Sequence, residues 1–115
     1  IVNDCEATHI IADNFFSHFK FDLLGDVIQK IVSKLRINGT ITFYQLDIDI
    51  LSHQYARMNM DIGQYNTTLF SAGPIASTFN MESLCDLLID AGLTMETKEV
   101  DYDTCQSVVT AKRTP

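Results

Sequence analysis

The order of patterns between Thr8 and Leu46 constrains this chain more than any other feature. Thr8-His9-Ile10-Ile11-Ala12 is a short apolar run that stops at Asp13-Asn14. A buried parallel strand reads this way where it reaches the carboxyl edge of its sheet. From Asp22 to Arg36, the residues Leu23, Leu24, Val27, Ile28, Ile31, Val32 and Leu35 recur on one face at the 3.6-residue period. That spacing predicts an amphipathic helix capped by Asp22. Lys30, Lys34 and Arg36 fall in its second half, where cations suit the helix dipole. Asn38-Gly39 is expected to end it, because both residues tolerate left-handed backbone. Thr40–Leu46, TITFYQL, is rich in β-branched and aromatic residues and reads as a strand. Strand, helix and strand in this order form a βαβ unit, which is almost always right-handed and pairs its strands in parallel.

The remainder extends the unit without repeating it. Ile48 to about Asp61 is again helical in pattern, with Ile50, Leu51, Tyr55 and Met58 as its apolar side. Residues 62–79 hold Gly63, Gly73 and Pro74 and no sustained period. They are expected to form a loop with at most one short helical turn. A loop that long inside a compact domain is often functional, as in a lid. Asn80 caps a further helix with Met81, Leu84, Leu87, Leu88 and Ala91 inward, and Gly92 ends it. Thr94–Val100 and Gln106–Lys112 read as strands joined by a turn at Asp101–Thr104. The connection is too short for a crossover, so they pair antiparallel.

At 115 residues the chain is expected to be one domain, burying roughly two-thirds of the surface its unfolded form exposes. Its 46% hydrophobic and 20% charged content rules out a disordered tail. The formal charge of −7 argues against a nucleic-acid backbone or an anionic membrane as partner. No apolar run approaches the length of a membrane span, and no signal peptide is recognisable. Cys5, Cys85 and Cys105 form an odd set without metal-type spacing, and His9, His18 and His53 follow no ligand pattern. Structural thiols in a reducing, cytoplasmic compartment are expected, and no metal.

The order of strand, helix, strand, helix, long segment, helix and antiparallel hairpin resembles the second half of a class I S-adenosylmethionine-dependent methyltransferase. Local motifs agree. The stretch from Ala12 to Phe19 (ADNFFSHF) is similar to the family's strand end followed by "LEHL", with His18 matching its histidine and Ser17 standing in place of the glutamate. Leu35 to Gly39 (LRING) resembles "LKPGG", with Ile37 and Asn38 replacing the proline and first glycine. Gln45-Leu46-Asp47 then resembles the strand that ends in "PD", and Phe79-Asn80 through Ala91-Gly92-Leu93 resembles the segment closing on "aGF". The resemblance implies an α/β fold: a partial Rossmann-like sheet of two parallel strands plus a C-terminal antiparallel hairpin, flanked by helices. It also implies S-adenosylmethionine as cofactor for a complete enzyme. The family holds that cofactor with a glycine-rich loop after its first strand and an acid ending its second, and residues 1–115 contain neither. No cofactor is therefore expected on this chain alone.

The resemblance places Asp13 and Asn14 at the edge facing cofactor and acceptor, as contacts to one or the other; a loop or cap role is the alternative. His18 is a candidate general base by its titration range, against a structural role among Phe15, Phe16 and Phe19. Asp47, the other candidate catalytic residue, ends the next strand at the same edge, either lining a pocket with Tyr44 and Gln45 or capping the helix that follows. No Ser–His–acid or Cys–His arrangement suggests covalent catalysis. Two functions follow: methyl transfer, completed by an N-terminal half or a partner chain, or a non-catalytic assembly protein built on part of the fold. In both, the Thr8–Ala12 edge lacks a neighbour and is expected to meet a second copy, a larger partner or a further N-terminal segment.

Overall fold

The computed structural model describes residues 4–70, 73 and 75–115. Four strands form one sheet in the order β1-β2-β4-β3, where β1 is Ala7–Asp13, β2 Leu35–Leu46, β3 Leu93–Asp101 and β4 Gln106–Arg113. β1 pairs with β2 in parallel, and β4 pairs antiparallel with both β2 and β3. Four α-helices accompany it: α1 Leu24–Lys34, α2 Ile48–Ala56, α3 Ile62–Leu69 and α4 Met81–Asp90. This is the mixed α/β arrangement expected, with β1–α1–β2 as the parallel unit.

The core lies on one face of the sheet. Ile41 and Phe43 of β2 with Val109 and Ala111 of β4 meet Leu24, Ile28 and Val32 of α1 and Leu84 and Leu88 of α4, all buried. Phe16 stacks on Phe43 with ring centroids 5.1 Å apart, and closes the core at the end of β1. On the opposite face Leu46 is buried in a second cluster with Leu51 of α2 and with Tyr65 and Leu69 of α3, while Thr40, Thr42 and Tyr44 of β2 are half-buried and Ile11 of β1 is 65% exposed. Among the described residues no helix is long and apolar enough to cross a membrane.

Four local expectations are corrected. The first helix starts later than Asp22. Residues Phe21–Leu23 form a 3-10 turn, and Leu23 occupies the cap position with no side-chain bond. Its end is also earlier, because Leu35 already pairs with Ala7 while His9 pairs with Thr40. Residues 36–39 therefore bulge out of the ladder, with Asn38 left-handed at φ 68°. Gly39 is buried there, and a Cβ on it would lie 2.9 Å from both Arg36 O and Leu35 Cδ1. The third correction concerns 62–79, which is not a loop throughout. α3 fills its first half, held by a capping box between Asp61 and Gln64. Ser71, Ala72 and Pro74 lie outside the described residues. Preceding it, α2 stops at Ala56 rather than near Asp61.

The C-terminal hairpin locks the sheet to the helices. Arg113 Nη1 donates to Val32 O at 2.9 Å, which also accepts the Leu35 N–H at the end of α1, and to Leu35 O at 2.6 Å. Asn80 caps α4 through Ser83, as its sequence predicts, and Gly92 takes the left-handed φ of 87° that ends it.

Candidate functional site

Because β1 and β2 are parallel, Asp13 and Asp47 stand at the same, carboxyl end of the sheet, where ligands bind in open α/β folds. A cleft of about 390 Å³ opens there, lined by Asp13 and Asn14, by Thr67 and Thr68 of α3, and by Thr104 and Gln106. Gln106 Nε2 donates to Asp13 Oδ1 at 3.1 Å, reaching across the end of β2. Asp13 is exposed, and its second carboxylate oxygen faces no hydrogen-bond donor among the described residues. It can therefore accept from a ligand hydroxyl or attract a cation.

Asn14 is more committed to the fold. It sits in left-handed backbone at φ 51°, a conformation Asn tolerates better than most residues. Its N–H donates to Tyr44 O at 2.6 Å, and its Oδ1 accepts from the Leu46 N–H at 2.7 Å. The side chain thus continues the β1–β2 ladder by one rung, leaving only its amide N–H groups for a ligand.

Asp47 does not line the cleft. It is 3% exposed, and both carboxylate oxygens are used. Oδ1 accepts from the N–H groups of Asp49 and Ile50 at the start of α2, at 2.9 and 3.2 Å. Oδ2 accepts from Ser107 Oγ at 2.6 Å. A buried carboxylate is tolerated when so many donors surround it at the positive end of a helix. Of the two roles open for Asp47, the geometry selects the cap.

His18 ends the 3-10 turn Phe15–His18 that follows β1, and its side chain is exposed. The turn itself is firmly anchored. Buried Ser17 receives the Gln45 Nε2 bond at 2.5 Å, and its carbonyl accepts from the Ala76 N–H at 2.7 Å. Ser77 Oγ donates to Phe19 O at 2.9 Å and reaches Phe16 O at 3.2 Å. His18 is not among the residues lining the cleft.

Burial pushes the thiols of Cys85 and Cys105 up. Lys98 opposes and Asp86 reinforces this at Cys85, and Asp101 and Asp47 reinforce it at Cys105. Both remain protonated near neutrality, unsuited to nucleophilic or metal-ligand work. Among the described residues no group of His, Cys, Asp and Glu could hold a metal ion.

Sequence reasoning located Asp13 and Asn14 but missed Gln106, Thr67, Thr68 and Ser107. Thr67 and Thr68 were within reach, since Asp61-Ile62-Gly63-Gln64 is a legible capping box. No local signal announces Gln106, which lies 93 residues from its partner.

No family model and no curated protein sequence matches the chain. Solved structures do. The 1,6-didemethyltoxoflavin-N1-methyltransferase of Burkholderia thailandensis, solved with 1,6-didemethyltoxoflavin and S-adenosylhomocysteine bound, superposes with a TM-score of 0.68 at 16% identity, covering 100% of this chain and 47% of that one. A SAM-dependent methyltransferase of Methanosarcina mazei gives 0.66 at 12% identity, over 98% of this chain and 62% of its own. An O-methyltransferase family 2 protein of Planctomyces limnophilus, in complex with apigenin, gives 0.64 at 16% identity, over 93% and 30%. The chain spans between about a third and two thirds of the length of these neighbours. At such identities the likeness is one of fold: the described residues have part of the class I S-adenosylmethionine-dependent methyltransferase fold, including its antiparallel hairpin.

Proposed function

We propose that this chain forms the acceptor-facing portion of a S-adenosylmethionine-dependent methyltransferase, with the cofactor held chiefly by polypeptide that pairs with the open edge of β1. The observation that carries this reading is the cleft at the carboxyl end of the sheet, where Asp13 keeps an unused carboxylate oxygen between Gln106 and α3. The fit to the cofactor is partial. Asp13 can meet a hydroxyl or a cationic centre, and the Asn14 amide can donate, but neither Gly39 nor Gly92 opens a helix after a strand to form a phosphate-type or ribose-binding turn. Methyl transfer demands mainly alignment of the acceptor with the sulfonium and exclusion of water, so few side chains need to react. In this reading Asp13 and Asn14 position, α3 covers the cleft, Asp47 shapes the edge without touching ligand, and His18 has no assigned part.

The Burkholderia and Planctomyces neighbours were solved with planar aromatic molecules bound. A planar acceptor of that kind is the first to try here. The alternative, a non-catalytic assembly protein, is favoured by one observation: most polar atoms at this edge already serve the fold.

Two measurements test the proposal. Isothermal titration of the 115-residue chain with S-adenosylmethionine should give weak binding or none. A low-micromolar dissociation constant, about −8 kcal/mol, would show that these residues hold the cofactor themselves. Reading the transcript upstream of Ile1 should reveal, in frame, a strand with a glycine-rich turn followed by a strand ending in an acid. A stop codon directly upstream would favour the assembly protein.

A further inference from the structure

We infer that α3 is a lid, hinged at residues 57–61, that opens away from the body as a unit and uncovers the cleft at the carboxyl end of the sheet. Of the four α-helices described, it alone has no fully buried side chain. α1 buries Leu24, Ile28 and Val32, α2 buries Leu51, and α4 buries Leu84, Cys85 and Leu88. α3 is held through Tyr65 and Leu69, both half-buried, which pack against the small cluster of Leu46, Leu51 and Cys105. The Tyr65 ring also meets Tyr55 edge-on, with centroids 5.2 Å apart. A segment with so little buried apolar surface opens at a free energy well below that of the whole fold.

The hydrogen bonds at the ends of α3 are its own. Asp61 Oδ1 accepts from the Gln64 N–H at 2.8 Å, and the Asp61 N–H donates to Gln64 Oε1 at 2.9 Å. At the other end the Phe70 N–H donates to Asn66 O at 3.0 Å. Lifting the helix breaks none of these bonds, so leaving the body gives up apolar contact alone. Solvent already reaches α3 from two sides. Thr67 and Thr68 line the cleft of about 390 Å³ that Asp13 and Gln106 also line, and a second hollow of about 560 Å³ with Asn59, Met60 and Gln64. Asp103 of the hairpin turn borders both. At the hinge, Met58 is 90% exposed and held at φ 61°, a left-handed conformation that a long side chain adopts only at a cost. Rotation at that residue relieves strain and displaces no packed side chain.

That an acceptor enters by this opening rests on the proposed function; the opening itself does not, and its test contains neither cofactor nor acceptor. Two native thiols report it. Cys105 is buried in the cluster that Tyr65 and Leu69 close, and Cys85 is buried on α4 in the main core. Burial pushes both thiols up, so neither is attacked until it meets solvent. In a Cys5→Ser background, dithionitrobenzoate should modify Cys105 at least about 100-fold faster than Cys85, the sites being assigned by peptide mass spectrometry. Leu69→Ala weakens the docking of α3 and should accelerate Cys105 about tenfold. Ile28→Val, in the main core, destabilises the closed and lid-open states alike. It should accelerate Cys85 about fivefold and leave the Cys105 rate unchanged. Equal rates at the two thiols, or an equal response of both to Ile28→Val, would overturn the inference, because α3 would then open only with the whole fold. So would a Cys105 rate indifferent to Leu69→Ala, which marks fraying of the hairpin turn instead.

Discussion

Replacing Asp47 with alanine tests the assignment of this residue as a structural cap. The substitution removes the acceptor for two N–H groups at the start of α2 and strands the buried Ser107 hydroxyl. Losing a helix N-cap costs about 0.5–2 kcal/mol. A buried hydroxyl left without a partner adds about 1–3 kcal/mol, discounted because Ser107 can turn toward another acceptor. The combined loss is about 2–4 kcal/mol, against a total stability of about 5–15 kcal/mol for a domain of this size. Urea unfolding followed by far-ultraviolet circular dichroism measures it directly: the midpoint should fall with the slope unchanged, and the thermal midpoint should drop by roughly 10 °C or more. Asp47→Asn keeps an acceptor for α2 and an amide that can donate to Ser107 Oγ, so it should cost less than half as much. Ser107→Ala alone should cost about 1 kcal/mol, and its effect should largely vanish in the Asp47→Ala background, because the two side chains share one bond. A loss below about 0.5 kcal/mol for Asp47→Ala, or additive effects of the pair, would refute the cap and reopen the catalytic reading.

Arg113→Met should destabilise by about 1–3 kcal/mol, seen as a lower urea midpoint, because the carbonyls of Val32 and Leu35 lose their common donor. Gly39→Ala should cost about 1–3 kcal/mol in the same assay, since the new methyl would meet Arg36 O and Leu35 Cδ1 at 2.9 Å. Alkaline pH should weaken the fold. The Cys85 and Cys105 thiols are pushed up by burial, so above about pH 8.5 the unfolded chain loses thiol protons that the native state retains. The stability these groups confer is fully present below that pH. It declines as pH rises, by at most about 1.4 kcal/mol per unit for each thiol. Urea midpoints at pH 7.5 and 9.5 check this, and Cys105→Ala should flatten the dependence.

Sequence alone determined the local and periodic features. The 3.6-residue recurrence from Leu23 to Leu35, the β-branched Thr40–Leu46, and the caps Asn80 and Gly92 act through residues three or four positions apart. Their signals are therefore complete within a short window. From these the βαβ unit and the hairpin follow, since crossover handedness and connection length leave few topologies. α3 was legible in Asp61 and Gln64 but was hidden by the lack of a sustained apolar period, because a helix of eight residues packing on one small cluster needs only Tyr65 and Leu69 inward. What tertiary structure decided is every contact between residues distant in the chain. The Asp13–Gln106 bond, the Asp47–Ser107 bond and the Arg113 clamp on α1 span 93, 60 and about 80 positions. Asn, Asp and Arg side chains carry no mark of which partner they will meet, because hydrogen bonds of this kind are set by strand register and helix position, which only the packed core establishes. The same holds for the choice between cap and catalyst at Asp47: one carboxylate has the chemistry for both, and burial with three donors selects one.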